Sequence, residues 1–330
     1  MIKELPLFYY PTNIILVDDD VNYSKNLEMI MLDRKVPMGV FNDPKKALNF
    51  IKSKPFGKLA NKLVKVEEEQ EDKTIFNIDL SDLHQEIYNK DRFNDVSVII
   101  VDYAMPGLNG KEFFEKIRDL PVAKILLTGE ADYQMAVKMF NAGLIDRFFR
   151  KNDDDLFEKL IQAIEELKIQ FFQKLSHSIL AALGKKSTLL PFTNPAFIQF
   201  FLKTIQSDKM VEYYALDESG SFLLLQKNGA CTGLIVKSEE DMQVLYELAR
   251  DEKDIPKKVT EDLKNRKKLT YFATRKEHNM PAASWTLCEA HPLKANHETY
   301  YYSLVKNDPL FKLDTSQISN YQQFLKEHDL

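Results

Sequence analysis

The first half of the chain alternates short apolar runs with longer segments in which apolar residues recur every three or four positions. This alternation is typical of parallel strands connected by helices. The predicted strands are 13–17, 38–41, 96–101, 123–127 and a last one ending at 148–149, and the predicted helices begin near residues 21, 43, 110, 132 and 153. We therefore expect an α/β domain, a doubly wound five-stranded parallel sheet of the flavodoxin-like kind, over residues 1–152.

Residues 52–94 depart from this rhythm because they are charge-rich and lie where a short loop is expected. Apolar residues at Ile75, Ile78, Leu83 and Ile87 could form one or two packed turns within it. We interpret the segment as a partly mobile surface insertion and prefer this to a dedicated docking element.

A long helix is predicted from Asp153 to about Leu183, because apolar residues recur there at helical spacing over many turns. Its apolar stripe begins at Leu156 and is longer than one domain surface is expected to cover. We therefore interpret residues 153–188 as a linker or dimerisation helix and expect a homodimer, with segments 132–142 and 147–165 as further contact regions.

The second half, residues 189–330, changes character. Two strand-like runs joined by the turn Asp217–Gly220 come first, two helices follow, and further strands end the chain. Strands, then helices, then strands predict an α+β domain with an antiparallel sheet.

Composition narrows the class of protein further. A net charge of −5 gives no general reason to expect a nucleic-acid partner. No apolar run is long enough to span a membrane, and the N-terminal residues lack the order of a signal peptide. Cys231 and Cys288 lie far apart without metal-ligand spacing, which predicts reduced thiols in a cytoplasmic protein and argues against structural zinc.

Acidic residues follow two of the predicted parallel strands, at the point where each strand ends. Asp18, Asp19 and Asp20 follow the first strand and Asp102 the third. The C-terminal ends of parallel strands converge on the crevice where α/β folds bind ligands. Carboxylates crowded there repel each other unless a hard cation lies among them, and oxygen ligands select Mg²⁺ or Mn²⁺.

These residues also occur in runs that resemble a known family. The runs are Val17-Asp18-Asp19, Asp102-Tyr103-Ala104-Met105-Pro106-Gly107-Leu108-Asn109-Gly110, Thr128-Gly129-Glu130 and Phe148-Phe149-Arg150-Lys151. Together, and in this order, they resemble the CheY-like receiver domain of two-component response regulators. The resemblance covers about residues 11 to 165 and implies a phosphorylatable domain that serves a sensor histidine kinase.

The resemblance implies a role for each matching acidic residue. Asp102 resembles the acceptor whose carboxylate attacks a phosphohistidine. Asp18 and Asp19 resemble the acid pair that holds Mg²⁺, with Asp102 and the Ala104 backbone carbonyl as further ligands. The family catalyses its own phosphorylation and dephosphorylation, and the residue at Ala104 departs from the usual polar residue or Met, which leaves the lifetime of the phosphoryl group open.

Three further positions match the family's switch. Lys151 and Thr128 would each contact a phosphoryl oxygen. Movement of Thr128 toward that oxygen would free space for Phe148 to turn inward, which couples a local charge to a two-state element. Each residue also has a plain structural interpretation: Thr128 as a helix cap, Lys151 as a solvated charge and Phe148 as a packed aromatic.

The function of the second half is less constrained. Its order of elements resembles a PAS-like domain, which could enclose a small molecule or form a dimer contact. His177 faintly resembles a phosphohistidine box, but without ATP-binding motifs we interpret it as one face of the linker helix. We expect a response regulator that relays phosphorylation to a non-DNA-binding output domain, the alternatives being a nucleotide-handling or signalling enzyme and an unconventional transcription factor.

Overall fold

In a computed structural model of the protein, the chain forms two separate units, each with its own sheet. The structure describes residues 2–34, 36–54, 56, 64–70, 73–78, 80–129, 132–184, 191–252, 255–272, 280–306, 311 and 313–328. The parallel-sheet unit is Pro11–Asn61, Lys90–Ser176 and Phe324–Leu330, and the antiparallel-sheet unit is Met1–Tyr10, Lys62–Asn89 and His177–Gln323.

The described strands and helices are numbered here in chain order. The strands are β1 Phe8–Tyr9, β2 Asn13–Val17, β3 Met38–Phe41, β4 Val64–Gln70, β5 Lys73–Ile78, β6 Val96–Asp102, β7 Ala123–Thr128, β8 Arg147–Arg150, β9 Met210–Ala215, β10 Phe222–Gln226, β11 Cys231–Ser238, β12 Lys268–Leu269, β13 Cys288–Glu289, β14 His291–Ala295 and β15 Glu298–Lys306. The helices are α1 Val21–Asp33, α2 Pro44–Ser53, α3 Gly110–Glu115, α4 Tyr133–Asn141, α5 Leu156–Gly184, α6 Pro195–Ser207, α7 Glu239–Arg250, α8 Lys257–Lys264 and α9 Tyr321–Glu327.

The parallel-sheet unit has, among the described residues, five strands in the order β3-β2-β6-β7-β8, and every pair in it is parallel. Its central strands are buried along their length, as strands covered on both faces must be. Helices α1 and α5 contribute to one apolar cluster with alternate residues of β2, β6 and β7. The predicted doubly wound fold class is therefore confirmed.

Local sequence explains where the helices of this unit begin. The carboxylate of Asp20 accepts hydrogen bonds from the first-turn amides of α1, and Asp43 does the same for α2, which opens on Pro44. Asn109 and Glu112 form a capping box at the start of α3. The caps of α1 and α2 begin each helix within a few residues of a strand end.

The linker helix is observed as α5, with its apolar stripe covered. Leu156, Leu160, Ile164, Leu167 and Phe172 are all buried. The stripe was expected to exceed one domain surface, and these side chains are buried within a single chain; alternate strand residues and α1 supply the apolar surface opposite its first part, Leu156 to Leu167. The stripe gives no argument for a dimer.

The antiparallel-sheet unit contains, within the described part of the chain, a sheet in the order β1-β9-β10-β11-β15-β14. Helix α6 packs against β9 and β14, and α7 packs against β11 and β15. The predicted turn between β9 and β10 is present, and the Asp217 carboxylate accepts the amide hydrogen of Ser221. The predicted α+β architecture of the second half is thus confirmed.

Two segments lie elsewhere than the predicted boundaries placed them. Strand β1 pairs with β9, so residues before Pro11 belong to the antiparallel-sheet unit and not to residues 1–152 as one domain. The insertion contains the paired strands β4 and β5 and a 3-10 segment, Leu80–Tyr88, which contacts β9. Leu83 and Ile87 are buried there, as the predicted packed turns require, whereas the side chains of Ile75 and Ile78 lie outside the described residues.

Among the described residues, no helix is both long and apolar enough to span a bilayer.

Candidate functional site

Four of the residues predicted from the sequence meet at one edge of the parallel sheet. Asp102 is the last residue of β6 and Thr128 the last of β7, while Asp18 directly follows β2 and Lys151 directly follows β8. All four strands run in the same direction, so their C-terminal ends lie along one edge.

A single cation bridges the two buried carboxylates at this edge. The Lys151 Nζ atom lies 2.8 Å from Asp18 Oδ2 and 2.8 Å from Asp102 Oδ1. Burial alone would lower the pKa of Lys151, but hydrogen bonds and charges from both carboxylates outweigh it and raise the pKa. Burial raises the pKa of Asp18, and the shared ammonium offsets this only in part. The two carboxylates thus share one ammonium group, and a further cation could balance the remaining negative charge.

The end of β2 is held by two polar side chains that the sequence analysis did not single out. The Asn42 side-chain amide donates to the Asp18 carbonyl oxygen at 2.7 Å and to the Ser24 hydroxyl at 3.1 Å. The buried Ser24 hydroxyl donates to the same carbonyl at 3.2 Å. These contacts fix the backbone from which the Asp18 carboxylate projects.

The Asp102 carboxylate is held on both oxygens. Asp102 Oδ2 accepts the amide hydrogen of Ala104 at 3.1 Å, while Oδ1 contacts Lys151. Gly110, at the start of α3, lies so close to this strand end that a Cβ there would be 2.8 Å from the Asp102 carbonyl oxygen. Glycine is thus required for α3 to approach the end of β6 this closely. Whether the Ala104 carbonyl binds a metal stays a prediction.

The residues present fit a divalent cation. One carboxylate oxygen from each of Asp18, Asp19 and Asp102 can be chosen such that all three lie within 4.8 Å of one another. Asp18 and Asp102 are buried, Asp19 is exposed, and the only described contact of Asp18 Oδ2 is the ion pair with Lys151. Three hard oxygen donors with one compensating charge match the preference of Mg²⁺.

Thr128 and Phe148, the predicted switch pair, each have partners of their own in this structure. The buried Thr128 hydroxyl donates to the Gly129 carbonyl oxygen at 3.0 Å. The half-buried Phe148 ring meets Tyr133 and Phe140 edge to face, with ring centroids 5.6 and 6.0 Å away. The Thr128 hydroxyl would have to exchange its partner to contact a phosphoryl oxygen, so its role and that of Phe148 stay predictions. Glu130, part of the matching motif, lies outside the described residues.

Tyr23, in the first turn of α1, also borders the site. Lys151 Nζ lies 4.6 Å from the centroid of its ring, a cation–π contact. Burial, followed by the negative charges of Asp18 and Asp102, raises the pKa of the Tyr23 phenol, so the hydroxyl stays protonated. In the sequence, the position of Tyr23 five residues after Asp18 is what indicates that it lies near the site. The pattern of apolar positions alone makes it look like one more core aromatic.

Comparison with known proteins gives the family. The family model described as "Response regulator receiver domain" matches residues 63–165. That range begins within the insertion and contains Asp102, Thr128 and Lys151, whereas Asp18 and Asp19 precede it. The structure of the Legionella pneumophila response regulator LqsR is similar to nearly the whole chain: 33% identity, 98% of this chain and 95% of that chain covered, TM-score 0.80.

This chain belongs to the response regulator family. The LqsR similarity extends over both units of this response regulator, whereas the family model matches only residues 63–165. Two further structures match about half of the chain with scores too low to carry an argument. They are an adenylate cyclase from Rhodopirellula baltica (23% identity, 54% and 99% coverage, TM-score 0.35) and the Francisella response regulator 1452 receiver domain (17%, 48% and 96%, 0.32). No curated protein matches the sequence.

Proposed function

We propose that the receiver of this response regulator accepts a phosphoryl group on Asp102 from the phosphohistidine of a sensor histidine kinase, in a reaction that requires Mg²⁺. The observation that supports this most strongly is the arrangement at the sheet edge, where Asp18, Asp19 and Asp102 bring their oxygens together around one compensating ammonium. A site with surplus negative charge suits a divalent cation and, with it, a phosphoryl group.

In the proposed reaction, one carboxylate oxygen of Asp102 attacks the phosphorus of the phosphohistidine. A phosphorus–oxygen bond forms, the phosphorus–nitrogen bond breaks, and the imidazole leaves with the electron pair and takes up a proton. The product is a mixed anhydride, an aspartyl phosphate. Hydrolysis by water returns the free carboxylate and inorganic phosphate.

The side chains at the site have distinct tasks. Asp18, Asp19 and Asp102 would hold Mg²⁺, which when bound neutralises charge on the phosphoryl oxygens. Lys151 already contacts Asp102 Oδ1 and would contact a phosphoryl oxygen once that carboxylate is phosphorylated. Thr128 would donate its hydroxyl to another oxygen after leaving the Gly129 carbonyl, and Phe148 would then turn inward.

The second half is proposed to act as a non-DNA-binding output domain. The chain carries a net negative charge, which opposes binding to the DNA phosphates. The second half is an antiparallel sheet with helices packed onto it. The PAS-like resemblance, a signalling or nucleotide-handling enzyme and an unconventional transcription factor stay open as predictions. The reduced thiol of Cys231 and the family support a cytoplasmic location.

A homodimer is proposed on the aromatic surface beside the switch rather than on α5. Tyr133 and Phe140 on α4 are each 44% exposed and flank Phe148. An exposed aromatic cluster of this kind suits association with a second copy. Because both residues contact the switch ring, phosphorylation would alter the same surface, and sedimentation with and without a phosphoryl mimic measures that change.

Phosphorylation is tested by incubating the full chain with phosphoramidate and Mg²⁺ and measuring intact mass. We expect one phosphoryl adduct on the wild type and none on Asp102→Asn or in the presence of excess chelator. Asp20→Asn is the matched control, because Asp20 caps α1 with a side-chain oxygen that asparagine keeps. An adduct that persists in Asp102→Asn would reject the assignment.

A further inference from the structure

Tyr23 is the side chain beside the acceptor site that the proposed reaction leaves without a task. Its ring lies against the Lys151 ammonium, which at the same time contacts Asp18 and Asp102. The ring also packs against the apolar cluster that α1 and α5 share with the sheet. It is therefore fixed from one side by the core and faces the bridging cation on the other.

The hydroxyl of Tyr23 is buried and has no hydrogen-bond partner among the described residues. Folded proteins rarely leave a buried hydroxyl unsatisfied, because the group loses its hydrogen bonds to water and gains none. In a ligand site, such a donor is accounted for when the ligand supplies the acceptor. The Tyr23 ring lies 4.6 Å from the Lys151 ammonium, which in turn lies 2.8 Å from Asp102 Oδ1, so this residue borders the carboxylate that would carry the phosphoryl group.

Resting on the proposed function, we propose that Tyr23 is a further phosphoryl-binding residue of the receiver. Its ring keeps the Lys151 ammonium in position, and its hydroxyl donates a hydrogen bond to an oxygen of the phosphoryl group carried by Asp102. Two substitutions distinguish the contribution of the ring from that of the hydroxyl. Phenylalanine keeps the ring and removes only the donor, whereas leucine removes both.

The alternative is that Tyr23 only fills space in the core and that a water molecule satisfies its hydroxyl. In that case Tyr23→Phe would leave phosphoryl binding unchanged, since the ring is retained. If Tyr23 instead binds the phosphoryl group, the loss falls on phosphoryl binding and not on the metal, because the metal ligands are carboxylates.

The test uses the full chain and beryllofluoride as phosphoryl mimic, titrated in the presence of Mg²⁺ and followed by ¹⁹F NMR. We expect Tyr23→Phe to weaken beryllofluoride binding by about tenfold, as loss of a hydrogen bond to a charged group does. Tyr23→Leu should weaken it further, and the affinity for Mg²⁺ alone, measured by calorimetry, should not change in Tyr23→Phe. The ¹³C resonance of the wild-type Tyr23 Cζ should shift when beryllofluoride binds.

Tyr246→Phe is the matched control, because Tyr246 also lies beside a cation, Arg250, but on α7 in the other unit. It should bind beryllofluoride as the wild type does. Equal affinity in Tyr23→Phe and wild type, or a proportional loss of Mg²⁺ affinity, would overturn the role of the hydroxyl. Failure of the wild type to bind beryllofluoride would overturn the proposed function itself and this inference with it.

Discussion

The two ends of the parallel sheet differ in how their buried polar groups are satisfied. At the N-terminal end, the Lys124 ammonium donates to the carbonyl oxygens of Arg118, Leu120 and Val122, and the Thr12 and Ser97 hydroxyls share a 2.6 Å hydrogen bond. At the C-terminal end, two buried carboxylates share Lys151, and the Tyr23 hydroxyl has no partner in the described part of the chain.

Two lysines make the contrast sharpest. Burial lowers the pKa of Lys124, which faces mainly backbone dipoles, whereas the two carboxylates raise the pKa of Lys151 against the effect of its own burial. The first end is complete as it stands and contributes to stability. The second is incomplete without added positive charge and a further acceptor, as expected for a binding site.

The largest expected effect comes from removing the cation at the incomplete end. Lys151→Met should reduce the rate of labelling by phosphoramidate by about 100-fold, because a positioned charge on the phosphoryl oxygens is lost. The variant should still fold, and Mg²⁺ should raise its melting temperature more than that of the wild type, since the metal then neutralises Asp18 and Asp102 alone. Labelling at the wild-type rate would show that Lys151 is not part of the site.

The same substitution at the N-terminal end of the sheet should lower stability and leave the labelling rate unchanged. Lys124→Met leaves three carbonyl oxygens without their donor and should lower the free energy of unfolding by about 1–3 kcal/mol. Its labelling rate should match the wild type. Urea denaturation and the labelling assay on the same preparation check both statements; a large loss of labelling in a folded Lys124→Met protein would erase the proposed distinction between the ends.

A smaller effect is expected from pH. Because burial raises the pKa of Asp18, a proton competes with Mg²⁺ at higher pH than at an ordinary aspartate. Affinity for Mg²⁺ should therefore fall as pH decreases toward this raised pKa. In Lys151→Met, which lacks the offsetting ammonium, the fall should begin at higher pH. Calorimetric Mg²⁺ titrations from neutral to mildly acidic pH measure this, and identical profiles for the two proteins would contradict it.

The sequence was most informative where chemistry coincides with a strand end. Asp18, Asp102, Thr128 and Lys151 could be placed at one edge because parallel strands align their C-terminal ends, whatever the length of the connections between them. The insertion before β6 therefore did not disturb the prediction. The long amphipathic helix was equally evident, since its periodicity extends over many turns.

Other features depend on contacts that no local pattern encodes. Strand β1 has two residues, too few for a periodicity, and is defined only by its pairing with β9. Most of the insertion, Lys62–Asn89, belongs to the antiparallel-sheet unit, and its buried residues Leu83 and Ile87 lie in a 3-10 segment that contacts β9. In the sequence, Tyr23 looks like any core aromatic residue. Its contact with the Lys151 ammonium depends on the orientation of its ring in the folded chain.

The central claim is that the incomplete end of the sheet carries the phosphoryl group on Asp102. Sodium borohydride reduces an aspartyl phosphate to homoserine, so treatment after phosphoramidate and Mg²⁺, followed by peptide mass spectrometry, reads out the modified position. The account predicts homoserine at position 102 and at no other aspartate, dependent on Mg²⁺. Homoserine at another aspartate, or an unmodified Asp102 in a chain that has gained a phosphoryl group, would contradict it.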